Sequence, residues 1–373
     1  MPDSDLKPVR IGCIGTGNIS GQYLSMQKNF PIVDMVAVAD LDRDRAQKAA
    51  DEHGIAHVLT VDELIAHDDI DVVLNLTIPA AHVEISLRCI EAGKHTYLEK
   101  PLGVNREEGA QLVEKANAAN LRVGCAPDTF MGSGLQTARK LIDDGVLGEI
   151  TGFNAFMIGR GHEHWHPSPE FYYQPGGGPM FDMGPYYLTA LLNLLGPAKR
   201  LSGMTTVAIP ERTITSEPKN GQVMHVTTPD HFCGTIEFDS GVVGSIIQSF
   251  AMRNAPGIEP FVVYGTKATM KVPDPNSFDN KVYLKHEVGD DEWHEQPMAF
   301  VEGYGRSVGL ADMAYAIQSG RDHRCSLEQC FTVLDMMQGF LDSSENSSHH
   351  AVAPGYTRPK PMPADLPYGE LDR

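Results

Sequence analysis

Cysteine is scarce in this chain of 373 residues: six, at positions 13, 89, 125, 233, 325 and 330. None forms a C-x-x-C pair. A disulfide-stapled scaffold is therefore excluded, and a reducing cytoplasm is the expected compartment. Cys13 and Cys125 lie inside apolar, strand-like runs and read as small core residues. Long apolar runs are missing too; none approaches the roughly 20 residues a membrane helix requires. The first residues, Met-Pro-Asp-Ser-Asp-Leu-Lys, lack the apolar stretch of a signal peptide. Positive charge is in deficit: 30 Lys and Arg stand against 49 Asp and Glu, a net charge of −19. Such a surface repels a phosphate backbone or an anionic bilayer, so neither nucleic acid nor membrane is an expected partner. Internal repeats and low-complexity tracts are absent.

Hydrophobic residues make up 42% and charged residues 21%, ordinary values for a globular protein of two domains. Up to about residue 126, strand signals (Val9–Ile14, Met35–Ala39, Val72–Leu76, His95–Leu98, Arg122–Ala126) alternate with helical ones (Gln22–Phe30, Arg43–His53, Ala81–Glu91). Asn105 is placed to cap a further helix, with Glu107 and Glu108 in its first turn. This alternation predicts an α/β unit with a doubly wound parallel sheet. The pattern changes after Pro127. A helix is expected over 135–145, a strand over 149–158 and a helix ending near Leu195. Separated strands between 200 and 300 point to a largely antiparallel sheet. Helices return at 308–319 and 327–342, and five prolines in the last 20 residues predict an extended tail. The expected domains are 1–127 and 128–373.

Gly12-Cys13-Ile14-Gly15-Thr16-Gly17-Asn18-Ile19-Ser20 runs from a strand through a glycine turn into a helix. Gly15 permits the turn, and Gly17 lets the backbone approach a pyrophosphate beside Asn18 and Ile19. The third small position holds Ser20 instead of glycine. Asp40 ends the next strand 25 residues after Gly15, where an acid accepts from the adenosine ribose. Its charge repels a 2′-phosphate, so NAD is expected over NADP, although Arg43 and Arg45 lie close by. A plain structural turn and a solvated acid are the alternative.

Leu98-Glu99-Lys100-Pro101 follows a strand end, where an open α/β sheet presents its ligand crevice. A lysine there can act as an acid/base when burial and a neighbouring positive charge lower its pKa. An ordinary surface Glu-Lys before a proline loop is the other reading. Further on, Gly184, Leu188, Leu191 and Leu195 share one helical face. Asp182 and Tyr186 share another near the helix start, with Pro185 in the first turn. Those two side chains can orient a hydroxyl or steer a proton, or simply cap and pack.

Glu99-Lys100-Pro101 and the Gly176–Tyr186 segment resemble the Gfo/Idh/MocA family (glucose–fructose oxidoreductase, inositol dehydrogenase and relatives). Thr77–His82, Glu91–His95, Gly12–Gly17 and Leu310–Met313 fit its phrases as well. The resemblance implies a Rossmann domain followed by an α/β domain whose open antiparallel sheet builds homodimers or homotetramers. It implies hydride transfer between a nicotinamide and a carbinol carbon of a sugar, glycoside or cyclitol. Lys100 matches the catalytic lysine and Asp182 the acid. Thr77, Pro79, His82 and Glu99 match cofactor-shaping positions. Two departures stand out. Tyr186 occupies a position where many members carry histidine. Its phenol, with an ordinary pKa near 10, is the poorer base at neutrality, which leaves Lys100 as the base. Pro127-Asp128-Thr129 also replaces the asparagine and arginine common in relatives.

The loop His162-Glu163-His164-Trp165-His166-Pro167 precedes Phe171, Tyr172 and Tyr173. Its aromatic faces and polar tips suit a carbohydrate, so His164, Trp165, His166 and Tyr172 are expected at the substrate together with Lys100, Asp182 and Tyr186. No metal is expected, because the histidine spacing matches no ligand set. Two other outcomes fit the same motifs: a redox-neutral enzyme that retains its cofactor, and a non-catalytic NAD-binding regulator.

Overall fold

The apolar runs of the N-terminal third form strands because each is bounded by turn formers and is apolar on both faces. The computed structural model describes residues 6–253, 257–286, 289 and 291–372. It joins these runs into one parallel sheet of β1 (Val9–Ile14), β2 (Val33–Ala39), β3 (His57–Leu59), β4 (Val72–Asn75), β5 (His95–Leu98) and β6 (Val123–Cys125). The order is β3-β2-β1-β4-β5-β6. The chain changes direction at β1, so the crevice beyond the carboxyl ends of β1 and β4 is a topological switch point. Helices α1 (Ser20–Met26), α2 (Arg43–His53), α3 (Val61–Ala66), α4 (His82–Glu91) and α5 (Arg106–Ala119) form the connections. Ile14, Ala37, Leu64, Ile70 and Val73 belong to one buried cluster of this unit. Asn105 caps α5 as expected, its Oδ1 accepting from the Glu108 N–H at 2.8 Å. The short β3 and α3 escape the sequence pattern; α3 is defined by a capping box between Thr60 and Glu63.

Contacts divide the chain into two units. One comprises Met1–Gln136, Ala299–Phe331 and Pro359–Arg373, the other Thr137–Met298 and Thr332–Arg358. The second unit holds the larger part of α6 (Ser133–Asp143), with α7 (Gly178–Asp182) and α8 (Gly184–Leu195). Its strands are β7 (Ile150–Ile158), β8 (Ala198–Thr206), β9 (Glu211–Thr213), β10 (Val223–His225), β11 (His231–Phe238), β12 (Val243–Ser249), β13 (Phe261–Gly265), β14 (Thr269–Lys271), β15 (Tyr283–Lys285), β16 (His294–Glu295) and β17 (His350–Ala351). Nine of them form a sheet of order β16-β15-β14-β13-β7-β12-β11-β8-β17, while β9 and β10 pair separately. Neighbours are antiparallel except β7 and β12, so the sheet is mixed. Alternation buries Phe153, Ile236, Phe238 and Ile246 on one face and leaves Met204 and Val243 exposed on the other.

One local expectation needs correction. Asp182 and Tyr186 do not share a helix: Asp182 ends α7 and Tyr186 lies in α8. Pro185 has no N–H with which to continue the first helix, and the break falls at Met183, whose carbonyl accepts from Tyr186 at 3.1 Å.

The first unit is completed by later segments. Its helix α9 (Val308–Ser319) starts over Asp128, which accepts from the Ser307 and Gly309 N–H groups at 3.1 Å each. Burial pushes the Asp128 carboxyl up, against the pull of Arg306. α10 (Leu327–Asn346) begins in this unit, and the extended tail is tied by Arg324 to Asp372 at 2.9 Å.

Candidate active site

The glycine turn forms a cradle with little room beneath it and open space above. Gly15 has φ +96°, and a Cβ there would lie 2.5 Å from the Leu76 carbonyl oxygen. A Cβ on Gly17 would meet nothing within 4 Å. Ser20, the departure from three glycines, donates its hydroxyl to the Gly17 carbonyl at 2.7 Å and closes the turn itself. Asn18 is exposed and Ile19 half-buried beside it. Just past the carboxyl ends of β2 and β4, Leu41 and Ile78 are 98% and 69% exposed, apolar surface that a flat ring can cover. The cradle fits a dinucleotide.

Asp40 is more heavily engaged than its sequence position suggests. Arg45 pairs with it at 2.6 Å, while Thr16 N–H, Thr16 Oγ1–H and Asp42 N–H donate to it at 2.7, 3.0 and 2.9 Å. Burial pushes this carboxyl up, but those donors outweigh burial and hold it at about 2. Arg43, the first residue of α2, is exposed.

Lys100 lies two residues past the end of β5 and is half-buried. Its backbone N–H donates to Glu99 at 2.9 Å, and Tyr23 donates its phenol to the other Glu99 oxygen at 2.8 Å. His82 is buried, with Nδ1 2.7 Å from the Pro101 carbonyl and Nε2 3.0 Å from the Thr77 carbonyl. Burial holds its pKa below the ordinary value, although both carbonyls pull it up. A neutral ring has one N–H, so it donates to one carbonyl at a time. His82 thus lies between the Thr77 turn and the turn carrying Lys100 and bonds one of the two carbonyls at a time. Pro79, half-buried, opens a short turn of 3₁₀ helix between Thr77 and His82.

Sequence reasoning missed Asn75, which is fully buried. Its Oδ1 accepts from Thr77 N–H at 3.2 Å and Thr77 Oγ1–H at 2.6 Å, while its Nδ2 donates to the His82 carbonyl at 3.0 Å. The available signal was a lone asparagine closing the apolar run Val-Val-Leu. Tyr23 had no comparable signal.

In the second unit, Asp182 accepts from His162 Nε2 at 3.0 Å. His162 is in turn 3.2 Å from Trp165 Nε1, and its ring packs at a tilt against Tyr172 and edge-on against Phe250, with centroids 4.2 and 4.6 Å apart. The loop is held from below by Arg212, which donates to Glu163 at 2.9 Å and to Asp230 at 2.7 Å. Tyr173 donates to Glu163 at 2.5 Å. Trp165 and His164 are exposed, His166 and Tyr172 half-buried, and Tyr186 is buried. The structure thus gathers Asp182, Trp165 and Tyr172 around His162, which the sequence reading had not selected. A separate cavity of about 860 Å³, lined by Phe156, Ile158, Tyr187, Lys271 and Tyr283, includes none of these selected residues. Among the described residues, no group of three or more metal-ligating side chains could hold an ion.

Two family models match in succession: the oxidoreductase family NAD-binding Rossmann fold over residues 9–126 and the GFO/IDH/MocA C-terminal domain over residues 135–271. The chain belongs to the GFO/IDH/MocA family. It is a dehydrogenase or reductase with an NAD-binding Rossmann domain. It is 27% identical to the D-glucoside 3-dehydrogenase of Escherichia coli strain K12, over 83% of this chain and 93% of that protein. It is 26% identical to the trans-1,2-dihydrobenzene-1,2-diol dehydrogenase of Bos taurus, over 84% and 89%. The fold matches an NAD binding oxidoreductase from Klebsiella pneumoniae with a TM-score of 0.80 at 20% identity, covering 94% of this chain and 100% of that one. Levoglucosan dehydrogenase in complex with NADH and L-sorbose matches with a TM-score of 0.78 at 22% identity, covering 93% and 99%.

Proposed function

We propose that the enzyme oxidises a carbinol carbon of a sugar, glycoside or cyclitol, or reduces the corresponding carbonyl, with NAD as cofactor. The observation that carries this reading is Lys100, half-buried just beyond the end of β5 in the unit that also holds the Gly15 cradle, its N–H hydrogen-bonded to Glu99. The relatives named above as glucoside and diol dehydrogenases support the substrate class. When bound, the nicotinamide supplies hydride exchange with the carbinol carbon. Lys100 takes the hydroxyl proton in oxidation and returns it in reduction. Asp182 accepts from substrate hydroxyl groups, Tyr186 relays a proton, and His164, Trp165, His166 and Tyr172 grip the sugar. NAD is favoured over NADP because Asp40, an acid just past the end of β2, repels a 2′-phosphate, a repulsion that the Arg45 guanidinium at 2.6 Å partly offsets.

Replacing Lys100 by Met tests the assignment. Turnover of the best substrate in a panel of monosaccharides, glycosides and inositols should fall by about 10³-fold, while the dissociation constant for NADH stays within a factor of about three. Full activity in Lys100→Met overturns it. The exposed sheet face with Met204 and Val243 supports assembly as a homodimer or homotetramer, which light scattering reads directly. Six cysteines present as free thiols support a reducing cytoplasm as the compartment. No helix among the described residues is long and apolar enough to cross a membrane.

A further inference from the structure

Many members of the family carry an imidazole four residues after the acid, and this chain has Tyr186 there. An imidazole nevertheless reaches Asp182, from a different element. His162 Nε2 lies 3.0 Å from Asp182 Oδ2, and His162 Nδ1 lies 3.2 Å from the indole nitrogen of Trp165. An indole N–H only donates, so Nδ1 must present its lone pair. The ring proton of neutral His162 therefore sits on Nε2 and is donated to Asp182, which acts as the acceptor. The tautomer follows from the partners' chemistry alone.

The ring has little freedom. Tyr172 and Phe250 pack on it with centroids at 4.2 and 4.6 Å, and Trp165 meets it edge-on at 5.3 Å. The backbone N–H of His162 donates to the Tyr173 hydroxyl at 2.9 Å. Its neighbour Glu163 is locked by Arg212 and Tyr173, and the Glu163 carbonyl accepts from Thr215 N–H at 2.8 Å. A loop with no regular secondary structure around His162 is thereby held like a framework element.

We propose that His162 is the positioning residue of Asp182: its Nε2–H fixes the carboxylate's orientation toward substrate hydroxyl groups, and Trp165 fixes the tautomer that does so. This rests on the role given to Asp182 above. Because Nδ1 already accepts from Trp165, His162 orients the carboxylate and does not serve as the base. The chain thus supplies from the 162–173 loop the imidazole that many relatives carry on the helix.

The test combines kinetics with nitrogen NMR of the full chain labelled with ¹⁵N-histidine. In the wild type, the His162 side chain should show the Nε2–H tautomer, and Trp165→Phe should convert it to a mixture. His162→Ala should lower kcat by about 10- to 100-fold, as expected for loss of an orienting partner, with KM for cofactor within about threefold. His162→Gln, whose amide N–H can donate to Asp182, should recover part of that loss, and Trp165→Phe should cost about threefold. An Nδ1–H tautomer in the wild type, or His162→Ala with unchanged kcat, overturns the proposal. A purely structural ring would lower thermal stability equally in the Ala and Gln variants without selective recovery of kcat, which also overturns it. If the wild type turns over no polyol at all, the functional reading fails by itself, and the wild-type tautomer still decides whether His162 donates to Asp182.

Discussion

The two units build their chemical groups in opposite ways. In the first, the groups lie where strands end, and partners close in sequence hold most of them. Gly15, Thr77, Glu99 and Lys100 all follow parallel strands within a few residues; Thr77 N–H donates to the Asn75 side chain two residues back, and Lys100 N–H to the carboxylate of its neighbour Glu99. In the second, Asp182 is oriented by a ring 20 residues away, and the loop carrying that ring is held by Arg212 and Asp230, farther along the chain. The first arrangement is dictated by a sheet edge; the second depends on buried charge. The ion pairs make the contrast sharp. Arg45, half exposed, bonds Asp40 near the surface, whereas the side chains of Arg212 and Asp230 are 2% and 0% exposed. Surface pairs contribute little, but breaking a buried one leaves an uncompensated charge.

The largest expected effect follows from that difference. Arg212→Met leaves Asp230 and Glu163 without their cation and should destabilise the second unit by about 3–5 kcal/mol, read by denaturant unfolding. A loss below about 1 kcal/mol would mean that the loop is held chiefly by its rings. Gly15→Ala comes next. It places a Cβ against the Leu76 carbonyl at a φ of +96° and should cost about 1–3 kcal/mol, with NADH affinity falling at least about tenfold. Unchanged NADH affinity would remove the cradle from the cofactor site. The smallest effect belongs to Asp40→Asn, about 1 kcal/mol at neutral pH after allowance for solvent screening around Arg45. The sign follows from the carboxyl lying at about 2 in the folded state, below its ordinary value of 3.8. Its stabilisation is complete above the unfolded-state pKa and disappears as pH falls toward 2. The difference between wild type and Asp40→Asn should therefore shrink across that window; a constant difference would assign the effect to something other than ionisation.

Much of the first unit was legible because its signals are local. The strand Val9–Ile14 and the helix Arg43–His53 fall where the apolar runs and turn residues put them. The Asn105 cap is likewise visible from its own segment. Asp182 and Tyr186 show the limit of periodicity. Four-residue spacing reads as one helix face, yet Pro185 breaks the helix between them. β3, β14 and β16 are two or three residues long and carry too little pattern to be seen. His162 stood in plain view among three histidines in one loop, but spacing alone does not tell which ring turns inward.

The chain order of small, acidic and apolar residues was enough to determine a parallel sheet with a dinucleotide turn, a lysine beyond a strand end and the family to which both belong. Those features rest on backbone geometry within one strand–turn–helix segment, and each segment carries its own instructions. Tertiary structure alone decided that Asn75 bonds the His82 backbone, that His82 lies between the turns of Thr77 and Lys100, that Arg45 occupies Asp40 and that His162 faces Asp182. These pairings join side chains on different elements, and a side chain's partner is set by packing in three dimensions, which no local period encodes.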